Sequence, residues 1–399
     1  MKKANKPPIK NTNKPQNTYY SIEEIKLLNR KTERTNDNSN KNNYIESNTN
    51  NYYIDNKGIY INQEKNSNPE DIQFLKDITD NSFNSLGFNN IFCVFKSIID
   101  DILYLIYANK NSIISYNLIE YKKINEIKNS HNKDITNFRY CLDKINNRDL
   151  IISISKDDNN IKLWSAGDWN CLLNIRNINR KGELYSACFL NEKNKLYIIT
   201  SNKSFGHSDP IKVFDLKGNK IKEIEDFNDK IFYIDTYYDN KYAKNYIITG
   251  NVSNVKSYDY NQNKIYHKYG NSSKRVHAST IVTNIKEIIK LIESSWDGVI
   301  RIWNFHSGEL LRRIKSSNNK IFGLCLWNSK YLFIGCHDKT IKLIDLKNGK
   351  VIKNLVGHNN EVLTVKKIIH PKYGECLISE SYLQDQLKLW INKNISINT

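Results

Sequence analysis

Residues 294–303 read SSWDGVIRIW and place two tryptophans seven residues apart around an Asp-Gly turn. The run from Val299 to Trp303 alternates around a single arginine, which predicts a half-buried β-strand that ends at Trp303. Trp296 stands beside the turn, where a large aromatic side chain has little core to enter. Two interpretations of Trp296 stay open from this stretch: it binds a partner, or it folds over its own turn.

Strands like this one recur along the chain at intervals of 41 to 50 residues. A second apolar run lies upstream of each, and tight turns such as KDDN at 156–159 and HDKT at 337–340 join several of the pairs. Further apolar runs bring each interval to about four strands, as in one blade of a β-propeller. The seven matched strands end at Tyr116, Trp164, Phe214, Tyr258, Trp303, Ile344 and Trp390.

The sequence therefore predicts an all-β fold, a seven-bladed β-propeller of four-stranded antiparallel blades over residues 71–399. Only nine residues follow Trp390, which is short for an outer strand. The segment DIQFLKDI at 71–78 is expected to supply that strand, because pairing the two ends of the chain removes an open sheet edge. A propeller closed in this way is expected to be monomeric.

Residues 1–70 differ in composition from the repeats. They are rich in Asn, Lys, Ser and Thr, and the stretch KPPIKNTNKPQ alone contains three of the six prolines. Burying so little apolar surface would not offset the conformational entropy that the chain loses on folding. This composition therefore predicts a low-complexity, disordered tail. Ser21 and Glu24 form a capping box at the start of SIEEIKLLNRK, which predicts one short helix there.

Four stretches resemble the WD-repeat β-propeller family: SKDDNNIKLWS, SSWDGVIRIWN, HDKTIKLIDLKNGK and LVGHNNEV. The resemblance spans about 72–391, with departures. Only Gly357-His358 keeps the family's Gly-His pair, and Trp closes three of the seven third strands. The third and fourth blades lack the turn Asp six residues before Phe214 and Tyr258.

The resemblance implies a buried hydrogen-bonded network in a blade, made by a turn Asp, a His, a Ser or Thr and the Trp. A half-satisfied network of this kind would be costly. In the second blade it would combine His131, Ser153 or Ser155, Asp157 or Asp158, and Trp164. The residues assigned to such structural networks are His131, Asp158, Trp164, Asp297, Trp303, Asp338, His358 and Trp390.

The sequence contains no Walker loop, no G-x-G-x-x-G behind a strand, no H-E-x-x-H and no G-x-S-x-G. The seven cysteines are scattered and never spaced C-x-x-C, and the eight histidines are dispersed. No catalytic residue, metal site or cofactor is therefore predicted, and the protein is expected not to be an enzyme. The cysteine pattern indicates a reducing compartment, the cytoplasm or the nucleus. No apolar run is long enough to predict a membrane span.

The formal net charge of +18 suggests a nucleic-acid partner, but fifty of the sixty basic residues are Lys. Arg is the better residue for bidentate phosphate and base contacts. Abundant Asn, Ile, Tyr and Lys share A/T-rich codons, so a composition bias is the alternative explanation. Lysines clustered on one face would favour RNA, whereas scattered lysines would favour the bias.

The function predicted is that of a non-catalytic scaffold for partner proteins, expected in a multi-subunit complex. In the WD-repeat family, the loops between second and third strands open on the face that most often binds partners. The candidate interface residues in these loops are Trp296, His337, Lys156 and Asp157. An RNA-contacting propeller in a ribonucleoprotein is the main alternative. Binding to phosphoinositide membranes is disfavoured, because the pair Arg312-Arg313 lacks the flanking Phe and Gly of the known motif.

Overall fold

The structure is a computed structural model, and it describes residues 68–79, 91–176, 183–203, 210–225, 231–270, 277–382 and 387–393. The chain divides into two units, Met1–Ile45 and Glu46–Thr399, and every described residue belongs to the second. The tail predicted over 1–70, with its short helix, lies outside the described residues except for 68–70.

Twelve strands make the first three blades, four to a blade in chain order. The first blade contains β2 (Phe92–Lys96), β3 (Leu103–Asn109), β4 (Ser112–Asn117) and β5 (Lys122–Ile127). The second contains β6 (Ile135–Asp143), β7 (Arg148–Ser155), β8 (Asn160–Ser165) and β9 (Cys171–Ile175). The third contains β10 (Glu183–Glu192), β11 (Lys195–Lys203), β12 (Ile211–Asp215) and β13 (Lys220–Ile224).

The next three blades follow the same order. The fourth contains β14 (Tyr233–Asp239), β15 (Lys244–Gly250), β16 (Val255–Asp259) and β17 (Lys264–Tyr269). The fifth contains β18 (His277–Ile285), β19 (Ile288–Ser295), β20 (Val299–Asn304) and β21 (Leu310–Lys315). The sixth contains β22 (Ile321–Leu326), β23 (Tyr331–Cys336), β24 (Ile341–Asp345) and β25 (Val351–Leu355).

The seventh blade joins the two ends of the propeller. It contains β26 (Val362–His370), β27 (Gly374–Ser381) and β28 (Lys388–Asn392), and β1 (Ile72–Asp77) is its outermost strand. Strand β1 runs antiparallel to β28, with Phe74 opposite Trp390. The prediction of a seven-bladed propeller closed by an N-terminal strand is confirmed.

A 3-10 helix, Pro69–Asp71, leads into β1 and is held by the sixth blade. Tyr331 donates its hydroxyl to Glu70 Oε1 over 2.8 Å. The Lys353 ammonium donates to the carbonyl oxygens of Glu70 and Ile72, each at 2.7 Å. These contacts fix the chain before it enters the closing strand.

The apolar core lies between neighbouring blades rather than in one central mass. Trp164 packs in the cluster shared by the first and second blades, Trp303 between the fourth and fifth, and Trp390 between the sixth and seventh. Each tryptophan of a third strand is therefore packed against the preceding blade. Burial of a large aromatic ring at each such interface stabilises the blade pair.

Neighbouring blades also touch through their innermost strands, for example β10 with β14 and β22 with β26. These innermost strands consequently surround the centre of the propeller. The turns between second and third strands, and the connections from one blade to the next, all lie where the innermost strands begin. That side of the propeller is called the top face below.

Candidate functional site

A hydrogen-bonded network links the top face to the core of the second blade. Trp164 donates its indole N–H to Ser153 Oγ over 2.8 Å, and His131 Nε2 lies 2.7 Å from the same oxygen. Asp158 Oδ2 accepts from the backbone N–H of Asn132 over 2.8 Å and lies 3.9 Å from His131 Nδ1. Of the sequence alternatives, the structure brings Ser153 and Asp158 into this arrangement.

The protonation of His131 follows from its surroundings. Ser153 Oγ already accepts from the indole, so its own hydrogen can be donated to His131 Nε2, which leaves the ring N–H on the side of Asp158. Burial lowers the pKa of His131 to about 4, the Lys162 ammonium acts in the same direction, and Asp158 opposes both. The imidazole is therefore neutral at pH 7 and holds the loop before the second blade onto its strands.

The seventh blade repeats this network. Trp390 donates to Ser379 Oγ over 2.7 Å, and His358 Nε2 lies 2.6 Å from that oxygen. Ser379 is fully buried, as is Ser153 of the second blade. A serine hydroxyl in this position cannot reach a substrate, so the Ser-His pairs have no geometry for nucleophilic catalysis.

The fifth and sixth blades use charged groups instead. Trp303 donates to Glu293 Oε1 over 3.3 Å, and Arg301 bonds Asp297 at the turn. In the sixth blade, Lys342 lies 2.8 Å from Asp338 Oδ2. Burial raises the pKa of Asp338, but the hydrogen bonds from Lys342 and Thr340 outweigh this effect and hold the pKa below its ordinary value.

The turn that contains Trp296 presents a row of aromatic rings on the top face. Trp296 packs edge-on against Phe322 of the sixth blade, with ring centroids 6.1 Å apart. Phe322 in turn lies 6.4 Å from the His337 ring. We call Trp296, Phe322 and His337 the aromatic row; Trp296 and His337 are half-buried, whereas Phe322 is buried beneath them.

Both ends of the aromatic row carry charge. The Lys320 ammonium lies 4.5 Å from the centre of the Trp296 ring, a cation–π contact. At the other end, His337 Nε2 lies 2.8 Å from Glu361 Oε1. The backbone N–H of His337 also donates to Lys320 O over 2.9 Å. The row thus combines apolar surface with one cation and one carboxylate.

A second cluster lies on the same face, across the second, third and fourth blades. The Lys156 ammonium lies 5.5 Å from the Tyr185 ring centre, and Tyr185 packs edge-on against Phe232 at 5.3 Å. Asp157, beside Lys156, is exposed. The four candidate interface residues therefore divide into two groups: Trp296 with His337, and Lys156 with Asp157.

Sequence reasoning missed Tyr185, Phe232 and Phe322, as well as the charged Lys320 and Glu361. The three aromatic residues occupy one repeated position at the start of an innermost strand. Two of them, Tyr185 and Phe322, lie within the register shifts of β10 and β22. Alignment of the first strands at the repeat interval would have found this position, since the first strands recur as regularly as the third.

Charged residues are dispersed over the described surface. Exposed lysines occur on the top face at Lys110 and Lys133, and on the opposite face at Lys144 and Lys241. Lys220 lies on the outermost strand of the third blade, paired with a glutamate. These lysines lie on both faces, as a composition bias predicts.

The Arg312-Arg313 pair lies in β21, the outermost strand of the fifth blade. Arg312 donates to Leu346 O over 3.1 Å and to Lys347 O, so it holds the neighbouring blade. None of the helices in the described residues is long and apolar enough to cross a membrane. Nor does the described part of the chain bring together three or more His, Cys, Asp or Glu side chains that could hold a metal ion.

The fold and these contacts define the class of protein: a seven-bladed β-propeller with half-exposed aromatic rings and paired charges on its top face. No family model matches the chain. Its sequence is similar to the U3 small nucleolar RNA-associated protein 21 homolog of Schizosaccharomyces pombe, at 26% identity over 84 residues. That match covers 21% of this chain and 9% of the relative.

The chain is also similar to myosin heavy chain kinase C of Dictyostelium discoideum, at 29% identity over 77 residues. This match covers 19% of the chain and 9% of the kinase. The chain thus aligns with less than a tenth of the length of either relative. At this coverage, the likeness is to a short segment of each protein.

Proposed function

We propose that the chain is a WD-repeat β-propeller that acts as a non-catalytic scaffold and binds a partner protein on its top face. The observation that carries the proposal is the aromatic row, in which half-buried Trp296 and His337 flank Phe322. Aromatic side chains in such positions dominate the binding energy of many protein interfaces. Both rings already pack against Phe322, so little side-chain entropy would be lost on binding.

The charges at the ends of the row add specificity to this surface. Lys320 and Glu361 lie at opposite ends, so a partner with one acidic and one basic side chain at matching spacing would pair with both. Complementary charges of this kind select the partner and its orientation more than they raise affinity. We expect the partner to belong to a multi-subunit complex in the cytoplasm or the nucleus.

The test compares two tryptophans of similar exposure on opposite faces. Trp296 lies on the top face, whereas Trp169 lies in the loop between β8 and β9 on the other side, 5.9 Å from the Tyr104 ring. The tagged full chain, Trp296→Ala and Trp169→Ala would each be used for affinity capture with quantitative mass spectrometry. Affinities would then be measured for the main captured protein.

We expect Trp296→Ala to weaken that partner by about 2 kcal/mol or more, as for an interface hot spot. Its free energy of unfolding should change by about 1 kcal/mol at most. Trp169→Ala should leave capture unchanged, and Trp303→Ala should abolish it only by unfolding the domain. Equal capture by Trp296→Ala and Trp169→Ala, with both proteins folded, would remove the top-face proposal.

A second candidate function is contact with RNA in a ribonucleoprotein, which would place the protein in the nucleus. The segment similar to a small nucleolar RNA-associated protein favours it, together with the net positive charge. The same capture performed with nuclease separates the two functions. Partners that disappear after nuclease treatment, with direct RNA binding that weakens steeply as salt rises, would favour the RNA alternative.

A further inference from the structure

One position of the innermost strand recurs at the same register in every blade. In each blade, this residue pairs with a residue of the second strand. That second-strand residue pairs in turn with the third-strand residue just before the one that ends the repeat. In the second blade, Arg139 pairs with Ile152, and Ile152 pairs with Leu163. An isoleucine fills this position in the fifth blade. The other six residues are Cys93, Arg139, Cys188, Asp235, Cys325 and Lys366. We call these seven residues the channel ring.

Arg139 extends into the centre of the propeller. Its Nη2 donates to Ile234 O over 3.4 Å, and that carbonyl belongs to the fourth blade, beyond the third. The residue is 4% exposed, and its Nε has no hydrogen-bond partner among the described residues. A guanidinium carries five N–H donors, and leaving buried donors unmet is costly.

Lys366 approaches the same region from the seventh blade. Its ammonium donates to Phe92 O of the first blade over 2.8 Å. Burial lowers the pKa of Lys366 to about 8, and the positive charge of Arg139 contributes in the same direction. Cys93 of the first blade lies between the two cations: burial raises its pKa to about 12, while both cations oppose the increase.

Two carboxylates, Asp235 and Glu380, lie near these cations. Asp235 accepts from Tyr233 Oη over 2.7 Å and from the backbone N–H of Thr236 over 2.8 Å. Glu380, on the second strand of the seventh blade, raises the pKa of Lys366 less than Arg139 lowers it. The two carboxylates equal the two cations in number, so an added anion would be held by the unmet N–H donors rather than by excess positive charge.

The layers above and below the ring have opposite character. Side chains two residues apart on a strand share a face. Towards the top face, the seven positions hold Ile91, Asn137, Ser186, Tyr233, Ser279, Gly323 and Thr364; five of them are small or polar, whereas Ile91 and Tyr233 are large. Towards the opposite face, they hold Phe95, Cys141, Leu190, Tyr237, Thr283, Trp327 and Ile368, and all but Cys141 and Thr283 are buried and large. The layer above the ring is therefore mostly small or polar, and the layer beneath it is mostly large and apolar. We call the upper side of the ring the well.

We propose that this well binds one free tetrahedral oxyanion of the size of phosphate or sulfate, between Arg139 and Lys366. Thr364 supplies a neutral donor one layer above Lys366, because its Oγ1 is buried without a partner among the described residues. Arginine is suited to oxyanions, since its parallel N–H groups match two oxygens at once. The anion would satisfy the unmet donors and stabilise the closed ring.

The test is calorimetric titration of the full chain with sodium sulfate, at constant ionic strength set with chloride. Arg139→Gln and Lys366→Met should each weaken binding about tenfold or more, the usual effect of losing a charge-assisted hydrogen bond. Lys367→Met is the matched control, because Lys367 lies on the opposite strand face and pairs with Glu375. Binding equal in all four folded proteins, or none in the unaltered chain, would overturn the proposal.

A second measurement does not depend on the variants folding. Crystals of the unaltered full chain soaked in selenate should show one anomalous peak between the Arg139 guanidinium and the Lys366 ammonium. Sulfate affinity should also fall as pH rises through about 8, as Lys366 loses its proton. Sulfate does not titrate in this range, so the change would come from the protein. Selenate peaks found only outside the channel would contradict the site.

Discussion

Trp390 donates its indole N–H to Ser379 Oγ over 2.7 Å, and this bond joins the third strand of the seventh blade to the second strand of the same blade. Trp164 makes the same bond to Ser153 in the second blade, at 2.8 Å. In the fifth blade, a buried glutamate accepts from the tryptophan instead. In all three blades whose third strand ends in tryptophan, the indole thus both packs against the preceding blade and closes a buried hydrogen bond.

Trp164→Ala should lower the free energy of unfolding by about 3–5 kcal/mol, the usual cost of truncating a buried aromatic side chain. The change also leaves Ser153 without its indole donor. Urea denaturation of the full chain measures the effect, with Trp169→Ala as the half-buried control. A loss no larger than that of Trp169→Ala would show that the second blade does not depend on this tryptophan.

His131 should make the second blade sensitive to acid. Its pKa is lowered by burial to about 4, against an ordinary value of 6.5, so the unfolded chain binds the additional proton between these values. Stability should therefore be complete above pH 6.5 and fall as the pH drops towards 4, by on the order of 3 kcal/mol. The measurement is unfolding as a function of pH for the unaltered chain and for His131→Asn.

The difference between these two proteins isolates His131 from the other histidines, such as His306 and His370. Burial also lowers the pKa of both, so they contribute to acid sensitivity in each protein. The His131→Asn protein should be less stable at pH 7 but lose less stability between pH 6.5 and 4. Parallel curves for the two proteins would show that His131 is not buried as a neutral group.

Gly298, in the turn beside Trp296, should not tolerate a side chain. A Cβ there would lie 2.1 Å from Ser317 O and 2.8 Å from Asn319 O. Gly349 is the matched control, since its φ of +75° is close to the +74° of Gly298 but its nearest neighbours would be 3.5 Å away. Gly349→Ala should cost about 1–2 kcal/mol from the left-handed backbone alone, and Gly298→Ala clearly more.

Thermal unfolding of the two alanine variants tests this difference. Because Ser317 and Asn319 lie in the loop that leads to Lys320, Gly298→Ala should also disturb the aromatic row and weaken partner capture. Gly349→Ala should leave capture unchanged. Equal melting temperatures for the two variants would mean that the turn at Gly298 does not position the loop that contains Ser317 and Asn319.

Because β1 closes the propeller, we expect two truncations of the N-terminal segment to have different outcomes. Deletion of residues 1–60 retains β1 and should give a folded monomer. Deletion of 1–80 removes β1, exposes the free edge of β28 and uncovers Trp390, against which Phe74 packs at 5.6 Å. An exposed, unpaired edge promotes association between chains. Size exclusion with light scattering distinguishes the two, and the same monomeric behaviour for both would exclude closure through β1.

Much of the fold followed from the repeat alone. The alternation ending at Trp303, repeated seven times at similar intervals, determined the number of blades and the position of every third strand. The short segment after Trp390 indicated that the closing strand comes from the N-terminal side. These features depend on local periodicity and on the count of strands, both of which one sequence contains.

The tertiary structure decided which residues meet across blades. The sequence left Ser153 and Ser155 as equal alternatives. Both share a face with Trp164, but Trp164 pairs with Ile151, which is two residues from Ser153 and four from Ser155, so the register places Ser153 within reach. Trp296 and His337 belong to one surface only because Phe322 lies between their loops. Arg139 and Lys366 are 227 positions apart in the sequence and share a channel only after the ring closes. Such contacts depend on how the blades pack around the centre, which no local pattern of residues contains.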